Sequence, residues 1–224
     1  MENTRGSKIK LGLFLTALTL IFLMVGFKTV GQPPKKIIKS SRIHDKTLWK
    51  YQCIDTMKTS RDKARAWRNK GDLEQHVRLE MESIASLGAN CVAISTPYDD
   101  EFLPFLKLWV SEARRQNLHI WFRGNFASWE GWFEYPKGMS ADQLFVKTTD
   151  FVTSNPDLFK DGDIFTAAPE AENGGPFNQV EVDEHVAYRQ FLIKEYEVSK
   201  KAFDQIGRRV IVNWFSMNGG LAKR

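Results

Sequence analysis

Asp163-Ile-Phe-Thr-Ala-Ala-Pro-Glu170-Ala-Glu172-Asn-Gly-Gly-Pro176 reads as a short buried strand running into a loop that presents two carboxylates. Ile164 to Ala168 is brief and apolar, with turn residues on both sides (Asp161-Gly162 before, Gly174-Gly175-Pro176 after), the pattern of a strand buried on both faces. Pro169 has no N–H to give to a ladder, so pairing should fail there and Glu170 should emerge at the strand's carboxyl end. In parallel α/β sheets that edge is where chemistry is built. A carboxyl there can do general acid work where apolar neighbours disfavour its charged form, and Phe165, Pro169 and Phe177 offer such neighbours. Glu172, two residues on, adds a like charge; the plain alternative is a pair of solvated loop acids.

Working outward, the same strand-and-helix unit repeats. Leu48 to Ile54 alternates as a first strand, and the polar loop Asp55 to Asp62 places Asp55, Arg61 and Asp62 at its carboxyl end. Leu73 to Leu87 is a helix by its apolar positions 73, 77, 81, 84 and 87, stopped by Gly88. Asn90 to Ser95 is a second strand, Thr96 to Asp100 with Tyr98 its loop, and Phe102 to Gln116 an amphipathic helix with a basic end. Leu118 to Phe122 is the third strand, Arg123 to Tyr135 a long aromatic loop, and Ala141 to Ser154 the third helix. His119, mid-strand, is expected in the core. After the opening stretch, Asp183 to Ile206 forms a long helix with Phe191, Tyr196 and Phe203 on its apolar side, and Val210 to Trp214 a fifth strand.

Continuous apolar strands alternating with helices mean an α/β protein with a parallel sheet, either doubly wound or a (β/α) barrel. No Gly-x-Gly-x-x-Gly follows the first strand and no Gly-x-x-x-x-Gly-Lys occurs, which removes the main support for a nucleotide-binding sheet and favours the barrel.

The net charge of +5 is unevenly placed: residues 1–10 carry +2 and residues 28–46 carry +5, leaving −2 for the rest of the chain. A basic tail and stem that precede a domain carrying −2 argue against a nucleic-acid partner. Between them Leu11 to Phe27 is uncharged and apolar, and at ~1.5 Å per residue it spans roughly 25 Å, the short limit for a membrane helix. An uncleaved signal anchor is the first reading and a cleaved signal peptide the second. Residues 28–46 then form a proline-containing stem, with the domain at 47–224 expected outside the cytoplasm. More basic residues follow the apolar stretch than precede it, which taken alone favours the opposite orientation. Cys53 and Cys91 lack metal-ligand spacing and are read as two buried free thiols, with a disulfide as the alternative if their segments are neighbouring strands.

Residues 47–224 resemble the first five units of the (β/α)8 glycoside hydrolases of the large retaining clan. The likeness rests on Ala168-Pro169-Glu170 at the end of the fourth strand, where the clan carries Asn-Glu, and on Leu118 to Asn125 and Val210 to Met217, which look like its third and fifth strands. It implies a partial TIM barrel with Glu170 as acid/base, Glu172 as the alternate, and a carbohydrate substrate. Trp129, Trp132, Phe133 and Tyr135 cluster in one loop, as a sugar platform or as a lid packed on the barrel top. The expected substrate contacts are Arg61, Tyr98, Arg123, Trp129, Trp132, Tyr135, Asn173 and Trp214. No cofactor is implied, and His44, His76, His119 and His185 are too scattered for a metal site.

The clan's nucleophile ends its seventh strand, and a full barrel takes about 250 residues, whereas fewer than 180 follow the stem. The expectation is the amino-terminal part of a longer hydrolase, inactive alone. The alternative is a membrane-tethered glycan-binding module, or one completed by a separate polypeptide.

Overall fold

A computed structural model describes residues 50–177 and 185–216, all within the second of two compact units, Arg42–Arg224. The apolar stretch 11–27 and the stem lie outside the described residues, among which no helix is long and apolar enough to cross a membrane.

Five parallel strands form one sheet in chain order, β1 (Cys53–Asp55), β2 (Cys91–Ile94), β3 (His119–Phe122), β4 (Ile164–Phe165) and β5 (Ile211–Val212). Two one-turn helices, α1 (Met57–Ser60) and α2 (Ala64–Trp67), follow β1 and lead into α3 (Leu73–Ser86). Between β2 and β3 runs α4 (Leu103–Arg115); after β3 come the short α5 (Ala127–Glu130) and then α6 (Ala141–Ser154); α7 (His185–Gln205) precedes β5. The sequence specifies several of these ends. Ser140 and Gln143 close a capping box that starts α6, Gln143 N–H donating to Ser140 Oγ and Ser140 N–H to Gln143 Oε1 at 3.2 and 2.8 Å. Gly88, at φ +91°, ends α3 where a side chain would be strained.

The register Trp121↔Ile164↔Ile211 sorts side chains onto two faces. Val92, Ile94, Ile120, Phe122 and Phe165 join the helices in the core, while Trp121 lies on the opposite face, its Nε1–H donating to Thr166 Oγ1 at 2.9 Å. At the sheet's amino edge Asp163 is fully buried and takes both arms of Arg114 together with the N–H groups of Ile120 and Lys160. This network sets where β4 begins.

Three expectations are corrected. Cys53 and Cys91 are not free thiols: parallel pairing sets them directly opposite each other with Cα atoms 4.2 Å apart, and they form a disulfide. His119 is exposed, because it opens β3 on the face away from Ile120 and Phe122, where it meets the edge of Tyr51. Tyr196 is 51% exposed; five residues beyond Phe191 it stands about 140° round the helix, and Glu195 and Ser199 take the buried positions between Phe191 and Phe203.

Candidate functional site

A cleft opens at the carboxyl edge of the sheet, built from four successive loops. Met57 and Arg61 come from the loop after β1, Ser95 from that after β2, Arg123, Glu130 and Trp132 from that after β3, and Pro169 and Glu170 from that after β4. Its volume of about 170 Å³ lies below the ~300–1,000 Å³ of drug-sized ligand sites, so it admits one ring or a small group.

Arg123 is its cornerstone. At 7% exposure the side chain runs beneath the cleft, one arm donating to Asp55 Oδ2 at 2.6 Å and the other to Glu170 Oε1 at 3.4 Å, with the Phe215 ring 4.3 Å from its guanidinium. A buried guanidinium needs such charged acceptors, and here they come from the ends of β1 and β4. The carboxylates that Arg123 grips are therefore the chain's own.

Glu170 follows Pro169 at the carboxyl edge as expected, but the proline is not what ends the strand: β4 stops at Phe165 and Ala167 already turns its N–H to Glu195. The Glu170 N–H donates to Phe215 O at 2.8 Å, and its backbone is left-handed, φ +52° and ψ +47°. A non-glycine residue there carries about 1 kcal/mol of strain and marks a position worth chemical scrutiny. The second carboxylate oxygen accepts from Asn173 Nδ2 at 2.9 Å.

Glu130 stands in the same cleft at the end of α5. Burial pushes its carboxyl up to about 7; the Arg61 charge opposes that and the Glu170 charge adds to it. Sequence reasoning passed over this residue in favour of the aromatics around it. The signal was present in Trp129-Glu130-Gly131-Trp132, a carboxylate between two indoles, hence a candidate for desolvation. Arg61 lies over the Trp132 ring at 4.5 Å, with its Nε donating to Asp62 Oδ1 at 2.9 Å.

The remaining expected contacts are placed elsewhere. Trp129 is 0% exposed, stacked on Phe191, with Nε1–H donating to Ala171 O at 3.1 Å. Gly174 and Gly175 close over it: a Cβ on Gly175 would fall 2.4 Å from the indole. The hydroxyl of Tyr98, 3% exposed, accepts from Gly124 N–H and donates to Thr166 O at 3.0 and 2.9 Å, tying three strand ends together. These two aromatics are scaffold: Trp129 is folded inward onto α7, and Tyr98, from the loop after β2, is packed on Phe126, Phe151 and Phe165. Tyr135 donates to Glu101 Oε2 at 2.9 Å and faces a different cleft, beside Asp99 and Lys147. Trp214 is partly exposed with Nε1–H on Tyr188 Oη at 3.4 Å, outside the cleft lining. Glu172 is buried and accepts from Tyr188 at 2.8 Å and from Ser216, a tie between the β4 loop, α7 and the end of β5. Asn173 donates to Glu170 from outside the cleft lining.

One more carboxyl supports the site from below. Glu195, on the buried face of α7, accepts the N–H of Ala167 at 3.3 Å just before Pro169, and complete burial pushes it up to about 8. Compared with protein-family models, with curated proteins and with solved structures, the chain matches none.

Proposed function

We propose that the cleft binds one ring of a glycan and cleaves a glycosidic bond, with Glu170 as a reacting carboxyl and Arg61 and Trp132 as contacts to the sugar. The observation carrying this reading is the convergence of Glu130, Glu170, two guanidinium groups and an indole from three loops onto one small cleft. Paired carboxyls are what glycoside hydrolysis uses, and an indole face suits the apolar face of a sugar. We read the five strands as an arc of a (β/α) barrel wall. Among the described residues their order never reverses, so they hold no switch point of the kind at which doubly wound sheets bind ligands, and right-handed crossovers in that order carry the connecting helices over one face. The Cys53–Cys91 disulfide favours a domain held in an oxidising compartment, in keeping with an extracytoplasmic glycan and with residues 11–27 as the anchor.

A second reading, glycan binding without turnover, draws support from the hold on Glu170, whose two oxygens already face Arg123 and Asn173. The full chain and its Glu170→Gln variant are to be screened against oligosaccharides for binding and against aryl glycosides for hydrolysis. Hydrolysis that falls by a factor of about 10² or more in the variant supports the first reading. Binding without hydrolysis in either protein selects the second, and neither binding nor hydrolysis discards both.

A further inference from the structure

Glu130 and Glu170 share the cleft but not their surroundings. Glu170 is gripped by a guanidinium arm at 3.4 Å and by an amide donor at 2.9 Å. Glu130 is half-buried among Trp132, Pro169 and Met57. Arg61, the cleft-wall cation that opposes the upward shift of its carboxyl, is already engaged with Asp62 and laid over Trp132. The charged and polar groups facing Glu130 are Arg61 from the end of α1, Arg123 from the end of β3, Glu170 from the β4 loop, and Lys137 and Asn125 from its own loop. Two carboxyls in one cleft, one gripped by a guanidinium and an amide and the other shifted upward chiefly by burial against the opposing pull of Arg61, Asn125 and Lys137, divide acid from base.

We propose that Glu130 and Glu170 form a carboxyl pair across the cleft in which Glu130 carries the proton and Glu170 the charge, so that Glu130 is the proton donor of the site. The assignment rests on the glycosidase reading and moves the proton away from Glu170, the residue at the strand end. In the step it implies, the Glu130 Oε–H passes to the bridging glycosidic oxygen as the bond from that oxygen to the sugar carbon breaks, and the bonding pair leaves with the oxygen. The Glu170 carboxylate stabilises the positive charge that develops on the carbon. A water molecule then adds to that carbon and returns its proton to Glu130, so the net reaction consumes one water and restores both carboxyls.

The test is a titration of the glutamate side-chain carboxyls by carbon NMR on the full chain labelled at glutamate. It is run on the native chain and on the variants Glu130→Gln, Glu170→Gln and Glu195→Gln. The expected result is a resonance titrating near neutrality that vanishes in Glu130→Gln, moves to lower pH in Glu170→Gln because a like charge has gone, and persists in Glu195→Gln. Glu130→Asp, which keeps the carboxyl and is labelled at aspartate as well, guards against loss of fold and should retain a titration of this kind. A Glu130 resonance that titrates in the ordinary carboxylate range, or one indifferent to Glu170→Gln, overturns the assignment. Glu130→Gln should also slow poor leaving groups by about 10² or more while sparing aryl glycosides whose leaving groups need no proton. Equal loss on both substrates overturns the donor role. A near-neutral Glu130 in a chain that hydrolyses no glycoside supports the proton assignment and overturns the glycosidase reading instead.

Discussion

Trp129 and Trp132 lie three residues apart in one aromatic loop and meet opposite fates. Composition and spacing suit both to a sugar platform, and nothing local in the sequence tells them apart. What separates them is tertiary: Phe191 on α7 and the Gly174-Gly175 turn, both distant in the chain, enclose the first indole, whereas the second stays half-buried beneath Arg61. Tyr98 is hidden likewise by residues distant in the chain, Phe126, Phe151 and Phe165, while Glu170 was legible as a carboxyl just past a short apolar strand, although the strand ends before Pro169 and for a different reason. Truncating Trp129 to Ala should therefore cost about 3–5 kcal/mol of folding free energy, read as a lower urea midpoint. Trp132→Ala should leave that midpoint within about 1 kcal/mol and instead weaken oligosaccharide binding. If the two variants lose equal stability, the division between scaffold and cleft drawn here is wrong.

Secondary-structure elements were more legible than their ends. Ala141–Ser154 agrees with its sequence pattern residue for residue, because a capping serine and an apolar period are local signals. The strands are shorter than their apolar runs: Ile164 to Ala168 pairs as a strand only over Ile164–Phe165. Beyond that, Ala167 turns its N–H to Glu195 of α7 rather than to a neighbouring strand. β1 is three residues long and among the described residues pairs only with β2, so its hold on the sheet leans on the disulfide, which closes a loop of separation 38. A loop of that size should contribute about 3–4 kcal/mol on the chain-entropy estimate. The paired variant with Ser at both 53 and 91 should lose that amount in urea unfolding, and hydrogen exchange should rise first in β1. At the other end of the sheet, Asp163→Asn leaves Arg114 without its buried counter-charge and should cost about 3 kcal/mol. A loss under about 1 kcal/mol would mean that the Asn amide satisfies the same donors.

At the scale of the molecule, the parallel sheet and the edge at which the cleft forms could be read from alternation, whereas the strand order could not, because a doubly wound sheet and a barrel alternate alike. How the carboxyls titrate could not, because it depends on burial between elements. Burial raises Glu195 to about 8 and Glu130 to about 7, against roughly 4.3 for a glutamate in an unfolded chain. Between those values the folded chain holds protons that the unfolded chain has released. The stability these groups contribute is full below about pH 4.3 and falls as pH rises, through about 7 for Glu130 and about 8 for Glu195. Asp62, Glu101 and Asp161 are shifted the other way by their arginine and lysine partners and backbone donors, so their contribution is lost only in acid, below the ordinary carboxylate range. The urea midpoint should accordingly be higher at pH 5.5 than at pH 8.5, the reverse of the trend expected from ordinary paired carboxylates. Glu195→Gln keeps an acceptor for Ala167 but cannot ionise, and so should flatten most of that slope, while Glu130→Gln should remove only the part below about pH 7. A slope unchanged in Glu195→Gln would mean that Glu195 is ionised in the folded chain and that Ala167 faces a carboxylate, not a carboxylic acid.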